Sequence, residues 1–244
     1  MKQPIAAIIA LAAAAVLAAC AGSDKLTVYG ASSLKQVLAK IDATPTYSFA
    51  GSDQLAQQIE NGAPADLFAA ASPKYPGQLA AKGLCEAPVP FASNSLVIIV
   101  ANGSKGINSL ADLQSGPRRR LAIGVAAVPV GSYTREALAS AGAMAVLTRN
   151  TVSDEQDAAG IVAKVALGSA DAGIAYATDA KSSDGRVRAV ALPASAQPVV
   201  TYMACVVVRD GANSSAAKDY LEKLTGPDGQ AALKAAGFGP APGK

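Results

Sequence analysis

Four places in the chain set a small residue at the start of a helical pattern: Ser33, Ser52, Val130-Gly131-Ser132 and Asp157-Ala158. A helix start leaves N–H groups without partners and carries partial positive charge, so several facing one gap would hold an anion without Lys or Arg. Singly, each is explained as well by a serine or aspartate capping its own helix. Two lobes, each turning two such starts toward a shared cleft, would change that balance. Catalytic readings fare worse. The chain has no histidine, which excludes a Ser-His-Asp hydrolase, and two cysteines beyond the leader cannot make a four-ligand zinc site. No Walker-type loop is present. Ser32 stands three residues before Lys35, the spacing of a Ser-Lys nucleophile, and this keeps a serine-based enzyme as the rival class. Asp53, Asp66, Asp157 and Asp179 read as caps and turns, because a carboxylate would repel a bound anion. An organic carboxylate would call for an arginine clamp. The one arginine near a helix start, Arg135, lies a turn inside its helix and reads as solvated.

The elements that must position these residues alternate short apolar runs with longer helical patterns, the sign of an α/β fold with largely parallel strands. Strands are expected at Leu26 to Tyr29, Tyr47 to Ala50, Asp66 to Ala71, Leu96 to Ala101, Leu121 to Val125, Ala172 to Tyr176 and Val199 to Val208. Helices are expected from Leu34, around Leu55 to Ile59, over Pro73 to Lys82, from Tyr133 to about Ala141, and from Asp157 to Leu167, with Gly168 as its cap. Ala216 to Leu224 and Asp228 to Ala236 close the chain as helices.

The N-terminus reads as an address. Lys2, an uncharged apolar run from Ile5 to Val16 and the small residues Leu17-Ala18-Ala19 make residues 1–19 a signal peptide. The cysteine that follows resembles the lipobox of bacterial lipoproteins, in which Cys20 would become the acylated end of a short linker, residues 20–24. The alternative is an ordinary cleaved leader with Cys20 incidental. With 21 basic and 18 acidic residues the charge is nearly balanced, leaving no nucleic-acid footprint and no polybasic membrane patch. Arg118-Arg119-Arg120 reads as a solvated loop feeding a strand, with an acidic partner as the minor alternative. In an oxidising compartment Cys85 and Cys205 could form a disulfide closing a loop of about 120 residues. The alternative is that Cys205 is a small buried hydrophobe of its apolar strand.

A resemblance now covers nearly the whole mature chain. Leu26-Thr27-Val28-Tyr29-Gly30-Ala31-Ser32-Ser33-Leu34 and Phe49-Ala50-Gly51-Ser52-Asp53-Gln54-Leu55 are similar to the opening of periplasmic molybdate-binding proteins of ABC transporters, within the type II solute-binding proteins. So are Asn61-Gly62-Ala63-Pro64-Ala65-Asp66-Leu67-Phe68, Asn94-Ser95-Leu96-Val97-Ile98, Val128-Pro129-Val130-Gly131-Ser132-Tyr133 and Ala170-Asp171-Ala172-Gly173-Ile174-Ala175-Tyr176. The resemblance implies two α/β lobes with a cleft between them, each lobe a mixed, mostly parallel sheet flanked by helices. Residues 25–92 with 201–244 would form lobe I and residues 93–200 lobe II.

It further implies a tetrahedral oxyanion, molybdate or tungstate, held by neutral donors. Ser33 and Ser52 would supply hydroxyls and nearby amides, Val130 and Ala158 main-chain N–H groups, and Tyr176 its phenol. The helix start at Ala158 is aligned to within a residue, since Ala159 stands where relatives often have Arg. Lys35 would lie on the exposed side of its helix, which removes the Ser-Lys reading. No cofactor and no direct cation ligand is implied, molybdenum being bound as its oxyanion. The remaining expectations are an exported periplasmic or cell-surface monomer, membrane-anchored through lipidated Cys20, that delivers its ligand to an ABC transporter permease in the inner membrane.

The physics is independent of the family. Molybdate is a dianion with only acceptor oxygens and suits a pocket made of donors. Hydrogen phosphate brings a proton that such a pocket cannot accept. Sulfate, the alternative ligand, has shorter bonds and would sit loosely. Each charge-assisted bond is worth roughly 1.5–3 kcal/mol, and after desolvation and closure a net of roughly −8 to −12 kcal/mol corresponds to micromolar to nanomolar binding.

Overall fold

The computed structural model describes residues 25–242. The signal peptide, Cys20 and the linker to residue 24 lie outside the described residues. In chain order the elements are β1 (Thr27–Ala31), α1 (Lys35–Ile41), β2 (Thr46–Ala50), α2 (Ser52–Glu60), β3 (Leu67–Ala70), α3 (Lys74–Ala81), β4 (Val89–Asn94), β5 (Leu96–Ala101), α4 (Leu110–Gln114) and β6 (Leu121–Gly124). There follow α5 (Pro129–Ser140), α6 (Ala145–Asn150), β7 (Thr151–Glu155), α7 (Ala158–Ala166), β8 (Ala172–Tyr176), α8 (Ala177–Lys181), β9 (Val187–Ala191), β10 (Val200–Val206), α9 (Ser214–Thr225) and α10 (Pro227–Ala236).

Two five-stranded sheets result, ordered β2-β1-β3-β10-β4 and β7-β6-β8-β5-β9. The pattern is the same in both. β1 pairs in parallel with β2 and β3, while β10 runs antiparallel to β3 and β4. β6 pairs in parallel with β7 and β8, while β5 runs antiparallel to β8 and β9. Each lobe is therefore a mixed sheet in which all strands but one point the same way. Pairing in the first sheet runs to Asn94 opposite Val200, so the chain crosses between lobes at Ser95, slightly past residue 92. It returns to the first sheet through β10.

The parallel strands are buried runs, as strands covered on both faces must be: Leu67 to Ala70 and Ala172 to Tyr176 are buried throughout. Helix α2 lays Leu55, Ala56 and Ile59 on the first sheet, and α7 lays Ile161, Val162 and Val165 on the second. One glycine allows close approach. A Cβ on Gly131 would collide with the carbonyls of Gly124 and Val125, which lets α5 start hard against the end of β6.

Two sequence expectations need correction. Helix α5 begins at Pro129, a turn before Tyr133, because proline is pre-set for the first helical position and lacks only an N–H that would be unpaired there. Arg135 is not solvated: its guanidinium donates to the carbonyls of Gly124 and Gly131, at 2.9 and 2.8 Å, and ties α5 to β6. Elements that went unread are short or at edges. β4 carries Pro90 at an irregular step of an edge strand, and β7 is an edge strand with Asp154 and Glu155 in it. Cys85 and Cys205 are joined by a disulfide, Cα atoms 5.8 Å apart, and Cys205 is also fully buried.

Candidate functional site

Parallel α/β sheets expose loops and helix starts at the carboxyl ends of their strands, where ligands gather. Both sheets here turn those ends toward one narrow cleft, whose free volume is about 10 Å³. From the first lobe come Ser32 and Ser33 after β1, Gly51 and Ser52 after β2, and Ala71 after β3. From the second come Val128 to Val130 after β6, Asp157 and Ala158 after β7, and Tyr176 at the end of β8. The five residues expected from the sequence, Ser33, Ser52, Val130, Ala158 and Tyr176, all line this cleft.

Neither serine caps its own helix. The hydroxyl of Ser52 accepts the main-chain N–H of Ala71 at 3.1 Å, which occupies an acceptor site and leaves its proton to give. Ser33 Oγ lies 2.9 Å from the phenol oxygen of Tyr202. Val130 is the second residue of α5 and Ala158 the first of α7, positions whose N–H groups have no intrahelical acceptor. The carboxylate of Asp157 caps α7 by accepting the N–H of Gly160 at 2.8 Å. That cap leaves the amides of Ala158 and Ala159 uncommitted by it.

Tyr176 is 1% exposed, and its hydroxyl is buried with no hydrogen-bond partner. Burial, followed by the neighbouring Tyr202, Tyr133 and Asp179, raises its pKa well above the ordinary phenol value, so it remains a donor. Its main-chain N–H donates to Asp179 at 3.1 Å. Burial pushes the Asp179 carboxyl up to about 7, against the pull of that N–H and with help from the charge of Asp157. Asp66 sits elsewhere, accepting from Arg209, Thr27 and Asn213. Asp53, in the first turn of α2, keeps one buried oxygen without a partner. Lys35 is exposed on α1. Among the described residues no group of three or more His, Cys, Asp or Glu is placed to hold a metal ion.

The lobes also touch around the cleft. Tyr75 on α3 donates to the carbonyl of Ala127, and Gln36 on α1 donates to that of Ser182 at 2.8 Å. Asn94, at the crossing, donates from Nδ2 to Thr178 Oγ1 at 2.8 Å and to Tyr202 Oη at 3.3 Å. Tyr202 and Asn94 escaped the sequence reading. A tyrosine inside the apolar strand Val200–Val206 reads as core, and only its contact with Ser33 reveals more.

Such an arrangement can bind an anion through uncharged donors; it offers no nucleophile paired with a base. Residues 26–239 match the family model described as bacterial extracellular solute-binding protein. The chain belongs to this family. Relatives of the solute-binding protein agree: it is 32% identical over 228 residues to the molybdate-binding protein ModA of Mycobacterium tuberculosis, covering 89% of this chain and 85% of that one. It is 31% identical over 236 residues to the molybdate-binding protein ModA of Escherichia coli, covering 90% and 91%. Its fold superposes on the periplasmic molybdate-binding protein of Azotobacter vinelandii with a TM-score of 0.77, covering 88% of this chain and 98% of that one. At 24% identity that likeness bears on the fold alone. As a solute-binding protein the molecule is a binder and not an enzyme, and what it binds is a ligand rather than a cofactor.

Proposed function

We propose that this solute-binding protein captures molybdate or tungstate between its lobes and hands the oxyanion to an ABC transporter permease. Ser33, Ser52 and Tyr176 donate hydroxyl protons, and Val130 and Ala158 donate main-chain N–H groups. The observation that carries the reading is the Tyr176 hydroxyl, fully buried and without a partner at the cleft that Ser33, Ser52, Val130 and Ala158 also line, where the Asp157 carboxylate is turned to the Gly160 N–H. An unmet buried hydroxyl costs about 1–3 kcal/mol, which an acceptor-only ligand would recover. Two curated relatives at over 30% identity carry the name molybdate-binding protein, which favours this oxyanion over sulfate.

In this reading the chain up to Asn94 and from Val200 onward forms lobe I and the segment between forms lobe II, hinged at the two crossings. Residues 1–19 direct export and are removed, and Cys20 carries the lipid that holds a monomer at the membrane. Calorimetric competition among molybdate, tungstate and sulfate tests the ligand. Molybdate and tungstate should bind at micromolar Kd or tighter and sulfate much more weakly. Equal affinity for sulfate would refute the size argument, and no oxyanion binding would refute the site. Mass spectrometry of the exported protein, compared with a Cys20→Ala variant, tests the anchor.

A further inference from the structure

We infer that Asn94 and Tyr202 form a hydrogen-bond relay that forces the Ser33 hydroxyl to act as a donor to the cleft, and so help to exclude protonated oxyanions. The inference rests on the oxyanion reading above and adds two positioning residues to it. It begins with the orientation of the Asn94 amide. Oδ1 accepts the main-chain N–H of Ser95 at 2.9 Å, and a main-chain N–H can only donate. The other end of the amide is therefore the NH2 group. Its two protons go to Thr178 Oγ1 and to Tyr202 Oη.

Tyr202 Oη, having accepted from Asn94, cannot return its own proton to that nitrogen. Its remaining partner is Ser33 Oγ at 2.9 Å. Distance alone leaves the direction of the Tyr202–Ser33 bond open; the Asn94 amide settles it. Tyr202 donates, Ser33 accepts, and the Ser33 proton is left to point into the cleft that Ser33 lines. Burial raises the Tyr202 pKa far above the ordinary phenol value, so the proton is not lost. The ring is 0% exposed and held edge-on by Phe91, Tyr176 and Phe238, with centroids 6.0, 5.8 and 5.3 Å away. A ring fixed on three sides cannot swing to relieve the order of the chain.

A molybdate oxygen meets a donor at Ser33. The O–H of hydrogen phosphate meets the same donor and finds no acceptor there. The relay thus turns a hydroxyl, which could serve either sign, into a group of one sign.

The test reverses the relay. In Asn94→Asp a carboxylate replaces the NH2 group, Tyr202 donates to it, Ser33 donates to Tyr202, and a Ser33 lone pair faces the cleft. Affinities for molybdate and inorganic phosphate are measured by calorimetry in mildly alkaline buffer, where phosphate is the singly protonated dianion. The added charge weakens both dianions alike, so the ratio of their affinities is the readout. That ratio should fall about 10–100-fold in Asn94→Asp. Tyr202→Phe cuts the relay, and on that background Asn94→Asp should change the ratio by no more than about twofold. An unchanged ratio in Asn94→Asp, with wild type still binding molybdate, overturns the relay alone. The same is true of a fall that persists undiminished in the double variant. Wild-type protein that binds no oxyanion overturns both the relay and the reading beneath it.

Discussion

Gly51 of the first lobe lies directly against the carbonyl oxygen of Gln156 in the second. A Cβ on Gly51 would collide with that oxygen and approach Val128 Cγ2 to 3.4 Å. The Gly51 backbone, at φ −61° and ψ 141°, is one that alanine adopts without strain. The glycine is thus required by its neighbours and not by its own conformation: within its own lobe only the end of the Asp53 side chain, which can turn, stands in the way, whereas the Gln156 carbonyl of the other lobe cannot yield. Gly51→Ala should leave ligand-free stability within about 0.5 kcal/mol. It should weaken molybdate binding about tenfold or more, by opposing hinge closure. Calorimetry beside thermal unfolding separates the two effects, and unaltered affinity would mean that the lobes close with room to spare.

Tyr176→Phe should act in opposite directions on fold and ligand. Removing an unpartnered buried hydroxyl should raise ligand-free stability by about 1 kcal/mol. Loss of a charge-assisted bond should weaken molybdate binding about 10–100-fold. A variant that binds as well as wild type would return Tyr176 to the core.

Ser52→Ala differs because its hydroxyl has two duties. The Ala71 N–H loses its acceptor, so ligand-free stability should drop by about 1–3 kcal/mol, and affinity should fall about 10–100-fold as well. Denaturant unfolding without ligand reads the first loss and calorimetry the second. If stability is untouched, the Ala71 N–H has another acceptor within reach.

Asp179 supplies a pH dependence. Burial holds its carboxyl up at about 7 in the fold, well above the ordinary carboxylate range it has when unfolded, so between these values the folded state keeps a proton that the unfolded chain has released. Its contribution to stability is therefore present below about pH 4 and lost as pH rises toward 7, by roughly 4 kcal/mol in all. Asp179→Asn should flatten that part of the stability profile. A dianion bound nearby would favour the protonated carboxyl further, so binding at pH 7 and above should take up a proton. Calorimetry in buffers of different ionisation enthalpy measures that uptake, and a buffer-independent heat would contradict it.

Much of the molecule was legible because its signals are local. The strands at Leu96–Ala101 and Ala172–Tyr176 and the helix ending at Gly168 were read within a residue or so, since uninterrupted apolar runs and a left-handed glycine mark themselves. Short edge elements such as β4 and β7 are not, because Pro90 and the polar residues Ser93 and Asn94 interrupt the one, and Ser153, Asp154 and Glu155 the other, so neither carries an apolar run. The start of α5 at Pro129, a turn before the expected Tyr133, has another reason: Val128-Pro129-Val130-Gly131 reads as a loop until the packing of Gly131 against β6 makes it a helix start.

The sequence by itself determined the kinds of group available: no histidine, two lobes' worth of α/β pattern, and small residues at four helix starts. Residue types and periodicity are properties of the chain; they left a Ser-Lys enzyme open, and the family resemblance carried by the same residues chose a binder over it. Only the tertiary structure decided which way the protons point. Asn94, Tyr202 and Ser33 lie far apart in sequence, as do Ser52 and Ala71 in their separate strand–helix units. A hydroxyl is donor and acceptor at once, and its sign is set by whatever the fold places on its other side.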